Sequence, residues 1–237
     1  MIPVKIMTQP DDFTCGPTSL HAVYNYYKDS ISLETVIKEI SYLKKGGTLA
    51  VLLGCHALSR GYSAKIYTYN LKVFDPTWTG CKSSDMVKKL RKQLRYKRGK
   101  NLHAAMRAYI KFLELGGELA FEPLTPKLLD EHFDRKMPIL AGLSATYLYC
   151  CARECVRYDN VSVYDDIKGM PAGHFVVLCG REKKKRIIVA DPYKANPVSG
   201  NNYYSVDVYR LINAIHLGVV TYDANLLVIK RGRRLHA

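Results

Sequence analysis

The chain has 237 residues, of which 48% are hydrophobic, and a formal net charge of +15, so we expect a single domain (1–237) with one buried core. No apolar stretch approaches the roughly 20 residues that span a bilayer, which argues against a transmembrane segment, and the first residues lack the apolar region of a signal peptide. The seven cysteines lack the spacing of a disulfide framework, which argues against a disulfide-bonded secreted domain. A reducing cytoplasm therefore fits best.

The first part of the chain is predicted to be mainly helical. Apolar spacing indicates a first helix over residues 15–28, and Ser32 is a good cap for a second helix over residues 33–43. A third helix is predicted over residues 48–61, where a glycine ends it. Alternation over residues 64–69 then predicts a strand.

The second part mixes helices with more strands. A very basic helix begins near Ser84 or Asp85, and an amphipathic one ends at a glycine pair. Thr125 followed by proline caps another helix, and Ser205 is predicted to cap the last one. The other predicted helices cover residues 102–115, 125–135 and 205–218, and the predicted strands cover residues 138–143, 173–179, 186–190 and 225–229. Helices first and antiparallel strands later predict an α+β fold.

A cysteine at the start of the first predicted helix is the strongest chemical signal. Cys15 falls in the first turn, where unpaired N–H groups and a partial positive charge favour a thiolate over a thiol. Gln9 lies six residues upstream and offers a neutral N–H donor. Beside the backbone N–H of Cys15, that amide would face a developing oxyanion. The segment therefore combines a nucleophile with an oxyanion donor.

A candidate base and its partner follow much later in the chain. His174 opens a predicted buried strand, and Asp191 ends the next one, after a charged turn over residues 181–186. A hairpin brings the start of its first strand beside the end of its second, so we expect these two side chains to be neighbours. A carboxylate on the far ring nitrogen would fix the tautomer and leave the near nitrogen to take the thiol proton.

These motifs resemble a known family. They are Gln9 six residues before Cys15-Gly16-Pro17, then Gly173-His174-Phe175-Val176-Val177, then Ala190-Asp191-Pro192. This set is similar to that of the papain-like peptidases that process bacteriocin leaders at a double glycine, and of their free-standing bacterial relatives. The resemblance implies a papain-like fold and a peptide or protein substrate. It also implies Cys15 as nucleophile, His174 as base, Asp191 as orienting residue and Gln9 as oxyanion donor.

The positive charge is concentrated in two places. The densest run covers residues 88–100, and a second lies at residues 230–234. We interpret residues 71–136 as a basic helical insertion, larger than a minimal domain of this family needs. A solvated helix face explains such a run. The functional alternative is an anionic partner, namely an acidic substrate, a nucleic acid or a membrane surface. No nucleic-acid-binding motif accompanies the charge.

Other residue clusters are weaker candidates. Cys150, Cys151 and Cys155 match no closed zinc pattern, and Cys55-His56 lies in an apolar helical run that favours a core or boundary role. There is no glycine loop of the kind that cradles phosphates, so we expect neither a metal nor a cofactor. We therefore predict a cysteine peptidase or amidohydrolase. The alternatives are an acyltransferase or transpeptidase with the same triad, and a non-catalytic module that binds peptide or nucleic acid.

Overall fold

The computed structural model describes residues 1–43, 47–156, 162–183 and 185–232. Its α-helices are α1 (Cys15–Tyr26), α2 (Leu33–Glu39), α3 (Ala50–Ser59), α4 (Ser83–Tyr96), α5 (Lys100–Glu114), α6 (Pro126–Asp134), α7 (Ala145–Tyr149) and α8 (Val208–Leu217). Its strands are β1 (Tyr62–Thr68), β2 (Glu118–Ala120), β3 (Ile139–Ser144), β4 (Glu154–Val156), β5 (Ser162–Tyr164), β6 (Gly173–Lys183), β7 (Arg186–Ala190), β8 (Tyr203–Asp207) and β9 (Asn225–Arg231). Single 3-10 turns occur at Pro76–Trp78 and Gly218–Thr221.

Seven strands form one sheet in the order β2-β1-β9-β3-β6-β7-β8. The β1–β2 pair is parallel and the other neighbours are antiparallel. Strands β4 and β5 form a separate two-stranded hairpin. The fold is therefore α+β, with helices packed on a largely antiparallel sheet, as the sequence predicted.

The packing of α1 against β6 places the first helix on the sheet. A Cβ atom at Gly16 would lie 2.5 Å from Thr48 Cγ2 and 3.3 Å from Phe175 Cδ2, so only glycine lets the helix approach this closely. One turn later, the Ser19 hydroxyl donates a hydrogen bond to the Phe175 carbonyl at 3.2 Å. The helix start is thereby held beside the start of β6.

Two predicted helix caps are confirmed and one is wrong. The side chains of Ser32 and Thr125 each accept a hydrogen bond from the backbone N–H three residues later. Ser205, in contrast, lies inside β8, and Asp207 caps α8 by accepting from the backbone N–H groups of Tyr209 and Arg210. Pairing with β7 extends this segment as a strand, and the helix begins only where that pairing ends.

The basic region 71–136 contains more than helices. Besides α4, α5 and α6 it contributes β2, which pairs with β1 at the edge of the main sheet. Helix α4 packs on α5, and α5 packs on α3. Two helices thus separate the basic α4 from α1. Within the described ranges, none of the helices has both the length and the apolar character needed to cross a bilayer.

Some predicted boundaries differ from those of the structure. Strand β6 continues to Lys183, so the charged turn that follows it is shorter than expected. Residue 184 of that turn and the last basic residues of the tail, 233 and 234, lie outside the described ranges. The hairpin β4–β5 and the short helix α7 were not predicted.

Candidate active site

Cys15 is the first residue of α1, and its side chain is buried, with 8% of the residue exposed. The preceding Thr14 makes no side-chain cap, so N–H groups of the first turn stay available at this end. Pro17 suits the first turn because it has no N–H to leave unpaired. The local sequence therefore sets a thiol at the positive end of a helix of 12 residues.

His174 and Asp191 lie at the same end of the β6–β7 hairpin. In this register Val177 pairs with Ala190, so the histidine and the aspartate both fall just beyond the paired residues. His174 Nε2 is 2.8 Å from Asp191 Oδ1, and both side chains are buried. Cys15 is among the groups that raise the pKa of His174, after Asp191, which indicates that the thiol is near the imidazole. The His174–Asp191 hydrogen bond is therefore the measured contact, and the catalytic triad with Cys15 stays a prediction.

The Asp191 carboxylate is held by more than His174. Its Oδ2 accepts hydrogen bonds from the hydroxyl groups of Tyr149 at 2.8 Å and Tyr204 at 2.7 Å. Its Oδ1 also accepts from the backbone N–H of Tyr193 at 2.8 Å. Asp191 has no exposed surface, so these donors replace the water that an ionised carboxylate would otherwise need.

The electrostatics of His174 and Asp191 favour a protonated imidazole paired with an ionised carboxylate. Burial on its own would lower the pKa of His174, but the Asp191 carboxylate and Cys15 outweigh burial and raise it. Burial would raise the pKa of Asp191, but His174 and the Tyr204 hydroxyl outweigh burial and lower it. Desolvation of Tyr149 and Tyr204, together with the adjacent Asp191 charge, raises the pKa of both phenols, so they stay protonated donors.

Gln9 lies next to the triad, but its amide has another partner. Its backbone N–H donates to the Pro192 carbonyl at 2.9 Å, which ties this segment to the residue after Asp191. Its side-chain Nε2 donates to the Asp11 carbonyl at 2.8 Å. Among the described residues, its Oε1 is buried without a hydrogen-bond partner. The role of Gln9 as oxyanion donor stays a prediction, because the amide would have to turn from Asp11 towards the cleft.

Acidic and aromatic residues surround the nucleophile. After burial, the charges of Asp11 and Cys15 raise the pKa of Tyr42. Burial, then Glu154 and Asp12, raise the pKa of Tyr193, whose backbone N–H donates to the Asp191 carboxylate. The loop before the nucleophile therefore carries two carboxylates, whereas the basic helix α4 lies two helices away.

A second buried carboxyl group lies under the start of β6. A Cβ atom at Gly173 would be 3.3 Å from Asp223 Oδ2 and only 2.6 Å from Thr221 Oγ1, so the approach of Thr221 requires glycine here. Burial raises the pKa of Asp223 well above its usual range, although the N–H of Ala50 at the start of α3 acts in the other direction. Its Oδ1 has no hydrogen-bond partner among the described residues. These features favour a neutral acid at this position.

The other cysteines and histidines that the sequence singled out lie apart from this site. The Cys55 thiol points to the Ala108 carbonyl at 3.7 Å, and His56 lies between the Tyr24 hydroxyl (2.8 Å) and Glu39 (2.9 Å). This arrangement agrees with the predicted core or boundary role. In the part of the chain that the structure describes, no three side chains of the metal-ligating types stand together as a metal site would require.

The chain was compared with known proteins at the levels of sequence and structure. No protein-family model and no curated protein sequence matches it. Its backbone is similar to that of a protein described as a C39-like peptidase from Bacillus anthracis, with 14% identity, 98% of each chain covered and a TM-score of 0.47. It is also similar to a double glycine motif protease from an AMS/PCAT transporter, solved with its leader peptide. The identity is 18%, with 97% of this chain and 93% of that chain covered and a TM-score of 0.45.

Tyr149 and Tyr204 are the site residues that the sequence did not predict. Tyr149 comes from α7, which was not predicted, and Tyr204 immediately precedes a predicted helix (205–218) in a strand that was not predicted. Recognising β8 would have revealed Tyr204, because Ala190 pairs with Tyr203. Asp191 then lies opposite residue 202, and Tyr204 is its diagonal neighbour on the same face of the sheet. No local sequence signal identifies Tyr149.

Proposed function

We propose that this protein is a cysteine peptidase or related amidohydrolase that cleaves a peptide or similar amide bond through a thioester on Cys15. The observation that carries the proposal is the buried His174–Asp191 hydrogen bond at 2.8 Å, beside a Cys15 thiol that is close enough to raise the pKa of His174. A nucleophile, a base and a residue that orients the base are the minimum for this chemistry.

In the first half of the reaction, His174 takes the proton of Cys15, and the sulfur attacks the amide carbonyl carbon. The carbonyl π electrons move to oxygen and form a tetrahedral oxyanion. When the oxyanion collapses, the C–N bond breaks and His174 donates its proton to the departing amine. The raised pKa of His174 supports this role, because it favours the imidazolium that pairs with a thiolate.

In the second half, water attacks the thioester carbonyl while His174 takes one of its protons. The intermediate collapses with cleavage of the C–S bond, and His174 returns the proton to the sulfur. Asp191 stays ionised throughout, because the Tyr149 and Tyr204 hydroxyls donate hydrogen bonds to its carboxylate. It keeps the His174 imidazole in its orientation. The free N–H of Cys15 and a reoriented Gln9 amide would face the oxyanion.

The surroundings of the nucleophile suit an extended peptide. Phe13 is an exposed aromatic residue two positions before Cys15, and Tyr42 and Tyr193 flank the site. Aromatic side chains at a rim supply apolar contact area with little loss of conformational entropy. The adjacent carboxylates of Asp11 and Asp12 favour neutral or basic substrate residues near the cleaved bond.

The test begins with alkylation. Cys15 should react with iodoacetamide faster than the other cysteines near neutral pH, as read by mass spectrometry of the digested protein. Burial raises the pKa of Cys55 to about 11 and that of Cys179 to about 12, so both should react slowly. Labelling of Cys15 that is no faster than that of these two would overturn its assignment as nucleophile.

The second step identifies the activity. A peptide library incubated with the protein should yield new amino termini, and Cys15→Ala and His174→Ala should abolish them. Cys81→Ala is the matched control, since Cys81 is a free, half-buried thiol outside the candidate triad. Equal cleavage by Cys15→Ala and by the unaltered protein would contradict the proposal.

A further inference from the structure

A cavity of about 740 Å³ lies on the other side of α7 from the triad. It is bounded by α7, α8, the turn Gly218–Thr221 and the segment before β6. Neither Cys15 nor His174 lines it. Its size falls within the range of roughly 300–1,000 Å³ that is usual for small-molecule sites.

The lining is mainly apolar and open to solvent. Leu217 and Val220 are 42% and 47% exposed, and the ring of Tyr147 also faces outwards at the same place. Apolar side chains that gather around a concave surface are typical of a binding site, because a bound apolar group removes all of them from water at once.

Two half-buried arginines add positive charge to this apolar cavity. Arg210 lies over the Tyr147 ring at 5.9 Å and donates to the carbonyls of Leu148 at 3.2 Å and Tyr147 at 3.4 Å. These bonds use two of its five N–H donors. Arg153 donates to the backbone carbonyl of Asp166. Among the residues that the structure describes, neither guanidinium has a carboxylate within ion-pair distance.

We propose that this cavity binds a small carboxylate with an apolar body, such as a medium-chain fatty carboxylate. The carboxylate would pair with the free N–H donors of Arg210, assisted by the charge of Arg153, because a guanidinium suits bidentate binding of a carboxylate. The apolar body would cover Leu217, Val220 and the Tyr147 ring. The site is distinct from the thiol centre, so the proposal does not depend on the peptidase function.

Isothermal titration calorimetry with sodium decanoate below its micellar concentration tests the proposal. Binding should saturate at one ligand per chain. Shortening the ligand to octanoate should weaken it by about fourfold for each CH2 group removed from contact with the cavity. Decanol, which lacks the charge, should bind about tenfold more weakly or worse. Protein alkylated at Cys15 should bind decanoate as tightly as unmodified protein.

Variants locate the site. Arg210→Gln should weaken decanoate binding by about tenfold. Leu217→Glu should weaken decanoate binding at least as much, because it places a negative charge on the lining. Since Leu217 is partly exposed, the circular dichroism spectrum of this variant should be unchanged. Lys92→Glu, on the remote basic helix, lowers the net charge by two, more than Leu217→Glu does, so it is a stringent control for general charge and should leave affinity within about twofold.

Three results would overturn the proposal. They are the lack of a saturable one-to-one phase, decanol binding as tightly as decanoate, and Lys92→Glu weakening binding as much as Leu217→Glu. The last result would mean that decanoate binds through the general positive charge of the protein and not at this cavity. If Arg210→Gln fails to fold, because Arg210 also binds the end of α7, the Leu217→Glu variant and the decanol comparison decide the question.

Discussion

Replacing Tyr204 by phenylalanine tests whether the tyrosines hold the candidate triad. The substitution removes one hydroxyl, whose hydrogen bond to Asp191 Oδ2 measures 2.7 Å, and leaves the ring in place. A hydrogen bond to a charged acceptor contributes about 1.5–3 kcal/mol. We therefore expect the free energy of unfolding to fall by that amount, and the midpoint of thermal unfolding to fall by roughly 3–12 °C. Because Asp191 orients His174, iodoacetamide should also alkylate Cys15 more slowly.

The adjacent Tyr203 provides a matched control. Its hydroxyl donates to the Val4 carbonyl at 3.1 Å and accepts from the Ile6 N–H at 2.9 Å. Because Tyr203 is 42% exposed, water can replace both bonds, so Tyr203→Phe should cost only about 0.5–1.5 kcal/mol. Urea unfolding followed by circular dichroism measures both variants.

The pH dependence gives a second criterion. The pKa of Asp191 is lowered in the folded state, so its contribution to stability is present above its unfolded pKa and is lost as pH falls through the folded value. The cost of Tyr204→Phe should therefore stay constant from pH 7 down to the ordinary carboxyl pKa of 3.8 and shrink only below it. A cost no larger than that of Tyr203→Phe, or one that already shrinks between pH 7 and pH 5, would refute the reasoning.

Three further predictions concern other parts of the molecule. Gln9→Ala should leave folding intact and lower the acylation rate by roughly 10²–10³, and unchanged single-turnover kinetics would remove Gln9 from the site. The pKa of Asp223 is raised in the folded state, so the unaltered protein loses stability as pH rises above the unfolded value. Asp223→Asn should escape this loss and gain relative stability by up to about 1.4 kcal/mol per pH unit within that window, whereas an equal difference in urea unfolding at pH 4 and pH 7 would show that Asp223 is not the titrating group. Finally, we propose that the exposed basic face of α4 attracts an acidic partner or substrate. Changing Lys88, Lys92 and Arg95 to glutamate should then raise the Michaelis constant for a substrate found in the library screen and reduce its salt dependence, and no change in either would make the segment a solvated face.

Local chemistry made several parts of the fold predictable. Ser32 and Thr125 cap their helices as expected, because a side-chain oxygen at that position satisfies a nearby N–H whatever the rest of the chain does. The start of α1 at Cys15 was predicted from the spacing of apolar residues, although Thr14 makes no side-chain cap there. The hairpin that joins His174 to Asp191 was predictable because its two strands are adjacent in sequence and strongly apolar.

Elements that depend on distant partners were not predictable. Strand β2 has three residues and no apolar alternation, and it exists because β1 offers it an unpaired edge. Ser205 looked like a helix cap, but pairing with β7 made its segment a strand. In both places, the energy of tertiary hydrogen bonds exceeded a weak local preference.

The sequence by itself determined the α+β class and the order of nucleophile, base and carboxylate, because these depend on periodicity, caps and adjacent strands. Only the tertiary structure decided what surrounds the carboxylate. Tyr149 and Tyr204 reach Asp191 from 42 and 13 residues away. It also decided that the basic helix packs two helices away from the nucleophile, and that Arg210 faces an apolar cavity. Such contacts come from the packing of separate elements, and no local pattern of residues encodes that packing.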